Sequence, residues 1–323
     1  MKILIAGLGS IGRRHIQNLL KLGVNDIIIY RHSGIHDQEF NFPIFDNLNN
    51  ALKEKPDAVF ITNPTALHIP VAIEAAKYGA HLFIEKPISH NLDNIDELLN
   101  IIKEKNIITF VAYQYRFHPA LQKIKEFIDK GMLGKIIFGR VEVGQYLPDW
   151  HPEEDYRKAY SAKEDMGGGA ILTLIHEIDY LTWILGEPES VSAVAGHFSN
   201  LELDVEDLAE ISIKYKGNIL GQCHIDYIQK APTRWLKIIG DKGEIYWDYF
   251  ENKVKFFNGK VWSIIYEQDN FDKNEMFLSE VKYFLECLDG KQKTIVNIES
   301  DLTVFKLALA SKKSAKENKT INL

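Results

Sequence analysis

Three features of the sequence predict an α/β chain in two parts: a doubly wound parallel sheet, then an α+β region built on a large, mostly antiparallel open sheet. Up to about residue 115, short apolar runs alternate with amphipathic segments, the pattern that parallel strands and crossover helices leave in a sequence. The first apolar run leads straight into a glycine-rich turn, Gly7-Leu8-Gly9-Ser10-Ile11-Gly12. From Lys135 onward the segments alternate apolar with polar positions and are rich in aromatic and β-branched residues. Turn signals such as Lys216-Gly217-Asn218 and Asn258-Gly259 separate them.

Taken in order, strands are expected at Lys2–Ala6, Asp26–Tyr30, Ala58–Ile61, His81–Ile84 and Ile108–Val111, with helices near Ile11–Lys21, Ala66–Lys77 and Leu92–Lys105. The unbroken runs Ile3-Leu4-Ile5 and Ile27-Ile28-Ile29 suit strands covered by helices on both faces. A helix around Ala120–Lys130 precedes the change of pattern. Beyond it, strands are expected at Ile136–Gln145, Val191–Phe198, Leu208–Tyr215, Ile219–Ile225, Arg234–Ile239, Glu244–Trp247 and Lys253–Phe257. One helix near Ala170–Leu185 interrupts them, and two, near Asn274–Leu288 and Ser300–Asn318, close the chain. The boundary is a change of pattern without a Pro/Ser-rich spacer, which sets the domains at 1–120 and 121–323.

With 323 residues the chain exceeds the size at which one hydrophobic core usually stops growing. Apolar residues at 46% and charged residues at 26% are ordinary for a packed protein and exclude a disordered or collagen-like chain. A net charge of −7 has the wrong sign for a protein that neutralises phosphates along nucleic acid. Cys223 and Cys287 stand far apart, without Cys or His at metal-ligand spacing, so no metal site is expected. The apolar run after Met1-Lys2 is too short for a signal peptide, and no apolar stretch is long enough to span a bilayer. The expectation is a cytoplasmic protein without a membrane partner.

The glycine turn is the strongest chemical signal. Glycines allow a tight turn, close approach of backbone to a pyrophosphate and close helix–strand packing, while the helix start offers free N–H groups. Gly7, Gly9, Ser10, Ile11 and Gly12 are therefore candidate dinucleotide contacts. The second strand ends in Tyr30-Arg31-His32-Ser33 in place of the acidic residue that holds the ribose 2′-OH of NAD. A guanidinium and a hydroxyl suit a 2′-phosphate, which favours NADP while leaving NAD open; Arg31 stacked on adenine is the other reading. Three further polar segments follow the third, fourth and fifth strands: Asn63-Pro64-Thr65-Ala66-Leu67-His68, Glu85-Lys86-Pro87 and Tyr113-Gln114-Tyr115-Arg116-Phe117-His118-Pro119. They converge on the carboxyl edge of the sheet, where doubly wound folds present ligands. The stretch from Gln145 to Tyr160 concentrates aromatics and hydrogen-bonding groups. Trp150, Tyr156, Arg157 and Tyr160 suit a carbohydrate pocket, or equally a subunit contact.

Together with Gly167-Gly168-Gly169 and His176-Glu177-Ile178-Asp179, these segments resemble the glucose–fructose oxidoreductase / inositol dehydrogenase (Gfo/Idh/MocA) family over nearly the whole chain. The resemblance implies a Rossmann domain followed by an open-sheet domain, and a nicotinamide-dependent oxidoreductase acting on a sugar, cyclitol or nucleotide-sugar. It implies a homodimer or homotetramer formed through the second sheet. It also gives Lys86 and His176 as the catalytic pair, Asn63, Pro64, Thr65, His68, Glu85 and Arg116 as cofactor-side residues, and Tyr115 and Thr173 beside the substrate. A base that titrates near neutrality can take the alcohol proton, and an ammonium can hold the oxygen as charge develops. Where one branch of the family has an aspartate four residues before the histidine, this chain has Leu172. That departure keeps alive a non-catalytic dinucleotide sensor of the same fold. Within the enzyme class, the rival is an enzyme that retains its cofactor through an oxidation and a reduction.

Overall fold

The computed structural model describes residues 1–32 and 39–323. The elements run β1 (Lys2–Ala6), α1 (Ser10–Lys21), β2 (Asp26–Tyr30), β3 (Ile44–Phe45), α2 (Leu48–Lys53), β4 (Ala58–Ile61), α3 (His68–Lys77), β5 (His81–Glu85), α4 (Ile95–Lys105) and β6 (Thr109–Ala112). They continue with α5 (Pro119–Asp129), β7 (Ile136–Gly144), α6 (Ala170–Thr173), α7 (His176–Leu185), β8 (Pro188–Gly196), β9 (Leu208–Tyr215), β10 (Ile219–Asp226) and β11 (Thr233–Gly240). The chain ends with β12 (Gly243–Asp248), β13 (Lys253–Phe257), β14 (Trp262–Glu267), α8 (Asn274–Leu288), α9 (Ile298–Glu317) and β15 (Ile321–Asn322).

The chain divides into two compact units. The first takes Met1–Gln114 and Asn274–Asp301, the second Tyr115–Lys273 and Leu302–Leu323. A single cut at 120 therefore misassigns α8, and the reason is packing. Phe60, Phe83 and Phe110 stack along β4, β5 and β6, with centroids 4.4 and 5.4 Å apart. Phe284 of α8 closes over all three at 5.4–6.0 Å.

In the first unit six parallel strands lie in the order β3-β2-β1-β4-β5-β6, and the strand order reverses between β1 and β4. Their apolar runs are buried, as a sheet with helices on both faces requires. The two-residue β3 and the six-residue α2, which Asn47 caps by accepting from the Asn50 N–H at 3.1 Å, are too short to show as periodicity.

The second unit carries nine strands in the order β14-β13-β12-β11-β7-β10-β9-β8-β15. All neighbours are antiparallel except β7 and β10. Edge strands β14 and β15 add to the expected set. The helix expected over Ala170–Leu185 is two helices, interrupted at Leu174 and Ile175. β-branched Thr173, stiff at χ1, precedes that break and Ile175 lies in it, and His176 becomes the first residue of α7.

Candidate active site

In the first unit the reversal of strand order opens a crevice at the carboxyl ends of β1 and β4, and the glycine turn fills its rim. Gly7 sits at φ +117°, and a Cβ there would come within 2.6 Å of the Asn63 nitrogen. A Cβ on Gly12 would lie 2.1 Å from the Gly7 carbonyl oxygen, so the close helix–strand approach admits only glycine. Gly9, by contrast, faces open space. The Thr62 hydroxyl donates to the Gly7 carbonyl at 2.7 Å and fixes the turn, a role the sequence does not advertise. Helix α1 starts at Ser10 and Ile11 with no side-chain cap and no acid in its first turn, leaving its N–H groups and positive end for an anion. Asn63 brings a buried Oδ1 that has no hydrogen-bond partner among the described residues. An orphaned acceptor, an uncapped helix start and a side-chain-free rim fit a dinucleotide.

Arg31 follows β2 and is half-buried, its N–H donating to the Phe45 carbonyl at 3.0 Å; His32 is exposed. Ser33 lies outside the described residues. Pro64 is exposed at the head of a short 3-10 turn in which Thr65 is buried. His68 is corrected from a cofactor contact to a brace: it is 1% exposed, with Nδ1 2.8 Å from the Pro87 carbonyl and Nε2 2.9 Å from that of Asn63. Burial pulls its pKa down. It ties the loop after β4 to the turn after β5, each ring nitrogen facing a backbone carbonyl.

Glu85 ends β5 and also turns inward. Its Oε1 lies 2.8 Å from His15 Nε2, and its Oε2 accepts from the Lys86 N–H at 3.3 Å. Both oxygens of Glu85 are thus engaged within the turn's own support. Lys86 stands half-exposed on the carboxyl edge.

In the second unit His176 opens α7, 4% exposed, with its ring centroid 5.0 Å from that of Tyr115. Behind Tyr115 the Arg234 guanidinium stacks at 4.3 Å and donates through Nε to Glu177 Oε1 at 2.8 Å; the Tyr180 hydroxyl donates to that oxygen at 3.2 Å. Burial pulls the Arg234 pKa down to about 10, still a cation at neutral pH. Arg116 donates to Asp179 at 2.6 and 3.1 Å and lies over the Trp183 ring. Its guanidinium is thus engaged with Asp179 of α7, whereas the resemblance implies a cofactor-side place for it. Burial pushes the Asp179 carboxyl up while Arg116 opposes the shift. Two carboxylates in the first turn of α7, each matched to an arginine, suit the positive end of that helix. His118 caps α5 by accepting the Ala120 N–H at 3.1 Å, and burial drives its pKa to about 3, so it is a neutral structural residue.

The remaining candidates fall into two groups. Thr173 is buried in α6, and in the same unit the Tyr227 ring meets Trp150 at 5.4 Å in a T-shaped contact. Trp150 Nε1 is buried with no partner among the described residues, and Tyr160 is half-buried in the adjoining loop. Tyr156 and Arg157 belong instead to a surface cluster. Tyr156 Oη accepts from the Glu202 N–H at 3.1 Å, and Arg157 pairs with Asp155 at 2.8 Å and Glu202 at 3.3 Å. Arg157 is therefore charge-matched on the surface. Leu172 is buried in α6, and the break before His176 means the two do not share one regular helix face. Arg234 and Tyr227 escaped sequence reasoning because each acts on a segment more than fifty residues away. The only trace of the ion pairs is the acidic pair in His176-Glu177-Ile178-Asp179.

Among known proteins, a family model described as an oxidoreductase family with an NAD-binding Rossmann fold matches residues 1–113, and the Gfo/Idh/MocA C-terminal domain model matches residues 121–246. Myo-inositol 2-dehydrogenase of Thermotoga maritima is 27% identical over 100% of this chain and 98% of its own length. Levoglucosan dehydrogenase of Pseudarthrobacter phenanthrenivorans is 33% identical over 44% of this chain and 36% of its own. The WlbA dehydrogenase of Bordetella pertussis, solved with NADH and UDP-GlcNAcA, superposes with a TM-score of 0.85 at 22% identity, covering 100% of this chain and 97% of that one. A levoglucosan dehydrogenase solved with NADH and levoglucosan gives a TM-score of 0.89 at 20% identity, covering 100% and 99%. This chain belongs to the Gfo/Idh/MocA family of oxidoreductases.

Proposed function

We propose that the protein interconverts a secondary alcohol and a ketone on a sugar or cyclitol by hydride transfer to and from a nicotinamide dinucleotide. The observation that carries this reading is Lys86, a half-exposed lysine on the carboxyl edge of the sheet whose switch point is shaped for a dinucleotide. The names of the relatives, which act on inositol and levoglucosan, support the substrate class. When bound, the dinucleotide supplies the hydride acceptor or donor. Lys86 holds the substrate oxygen, stabilising alkoxide in one direction and polarising a carbonyl in the other. His176, at the start of α7, exchanges the hydroxyl proton. Asn63 and the α1 N-terminus hold the dinucleotide, and Arg31 favours a 2′-phosphate, hence NADP. Trp150, Tyr115, Tyr160 and Thr173 form the carbohydrate-facing set.

The outer face of the second sheet, with Leu220 45% and Val194 64% exposed, supports self-association, to be read by light scattering of the purified protein. Among the described residues no helix is long and apolar enough to cross a membrane.

Nicotinamide absorbance with NADP and then NAD, against free sugars, cyclitols and sugar acids, tests the reading; turnover that disappears in Lys86→Ala supports it. Buried, apolar Leu172 favours the second reading, a sensor. Tight dinucleotide binding without turnover in the parent, unchanged in Lys86→Ala, would select it.

A further inference from the structure

Beneath Lys86 lies a cluster that the proposed chemistry does not use. Glu280 of α8 is fully buried, and neither of its carboxyl oxygens has a hydrogen-bond partner among the described residues. One of its oxygens, one of Glu85 and a ring nitrogen of His15 all lie within 4.8 Å of one another. The walls are aromatic: the His15 ring is edge-on to Phe60, Phe83 and Phe277 at 5.0–6.4 Å. Two carboxyl groups in such a site cannot both ionise, because the second charge would be stripped of water beside the first. Burial and the Glu85 charge push the Glu280 carboxyl well up, opposed by Arg14, which lies over the Phe277 ring at the surface. Glu280 thus carries a proton that it can share, and Glu85, already bonded to His15, is the acceptor at hand.

We propose that Glu280 is a positioning residue for Lys86: with His15 it clamps the Glu85 carboxyl, whose second oxygen holds the Lys86 amide. Glu280 lies within 4.8 Å of Glu85, and Glu85 Oε2 in turn accepts from the Lys86 N–H at 3.3 Å, on the backbone that carries the ammonium. His68 grips the same turn from its other side through the Pro87 carbonyl at 2.8 Å. The turn is therefore held at both ends by buried side chains. The inference rests on the role proposed for Lys86.

The test reads Lys86 directly. Lysines of the full-length protein are reductively methylated with carbon-13, and the Lys86 resonance is assigned by its loss in Lys86→Arg. Glu280→Leu should displace that resonance and its titration midpoint, and lower kcat about tenfold or more with KM little changed. Glu280→Gln, which keeps a donor of the same shape, should restore both. An unmoved Lys86 resonance in Glu280→Leu, with only the melting temperature lowered, would overturn the proposal. So would a stoichiometric metal ion in the purified protein that is lost in Glu280→Gln, since the trio would then be a metal site. Should the leucine variant fail to fold, His15→Gln, which removes the imidazole bonded to Glu85 Oε1, is read the same way. Absence of turnover in the parent would break the functional reading while leaving the resonance test intact.

Discussion

At the carboxyl edge of the parallel sheet the working groups are largely backbone: N–H groups at the start of α1, a glycine rim without side chains, and carbonyls pinned by His68. Around His176 they are side chains matched to one another across distant segments, Arg234 to Glu177 and Arg116 to Asp179. A backbone site depends on space and tolerates no added atom. A side-chain site depends on charge balance and tolerates no missing one.

Substitutions that separate stability from chemistry sharpen this contrast. The largest effect is expected from Glu177→Ala, which strands the buried Arg234 cation. Breaking a buried pair costs about 3–5 kcal/mol, measurable by urea unfolding, and a loss below 1 kcal/mol would show that the pair does not hold the second unit. Lys86→Ala should lower kcat by about 10²–10³-fold, the range for removing a charge-stabilising donor. Melting temperature and dinucleotide affinity should stay near those of the parent. Arg31→Asp comes next: a guanidinium beside a phosphate is worth about 1–4 kcal/mol, depending on exposure, so the NADP-to-NAD preference should shift about tenfold or more toward NAD at low salt. An unchanged ratio of dissociation constants would leave Arg31 as an adenine-stacking group only.

The smallest effect is one of pH. His224, on the second sheet, bridges Asp226 at 2.8 Å and Glu210 at 2.7 Å, and these contacts, Asp226 first, raise its pKa to about 9. Because the folded value lies above the unfolded one, the stabilisation is complete below about pH 6.5 and is lost as pH rises through about 9. The loss should be a fraction of the about 1.4 kcal/mol per pH unit that linkage allows, since Glu210 is half-exposed and screened. His224→Gln should flatten the alkaline limb of a stability–pH curve.

The same contrast explains what the sequence made legible. β1, β2 and β4 have the expected ends because buried parallel strands are unbroken apolar runs, and the glycine turn announces itself by spacing. The two-residue β3 and the break at Leu174–Ile175 left no period to detect. His68 turns to two backbone carbonyls, and Glu85 to His15 and the Lys86 N–H. A motif names the residue type, whereas the direction of a side chain is decided by what packs behind it. Glu280, Arg234 and Tyr227 carry no local signal, because their importance arises only when distant segments are brought together.

The return of the chain to its first unit governs how that unit can be made. Phe60, Phe83 and Phe110 form a stacked apolar face that Phe284 covers, and the β6 edge gains the Val296 carbonyl, which accepts the Val111 N–H at 2.9 Å. All of Tyr115–Lys273 must be synthesised before that cover exists. On the ribosome, the dinucleotide unit waits with its phenylalanine face open through most of translation, a state that invites chaperone capture or aggregation. A message truncated before α8 would release the protein in that unfinished form.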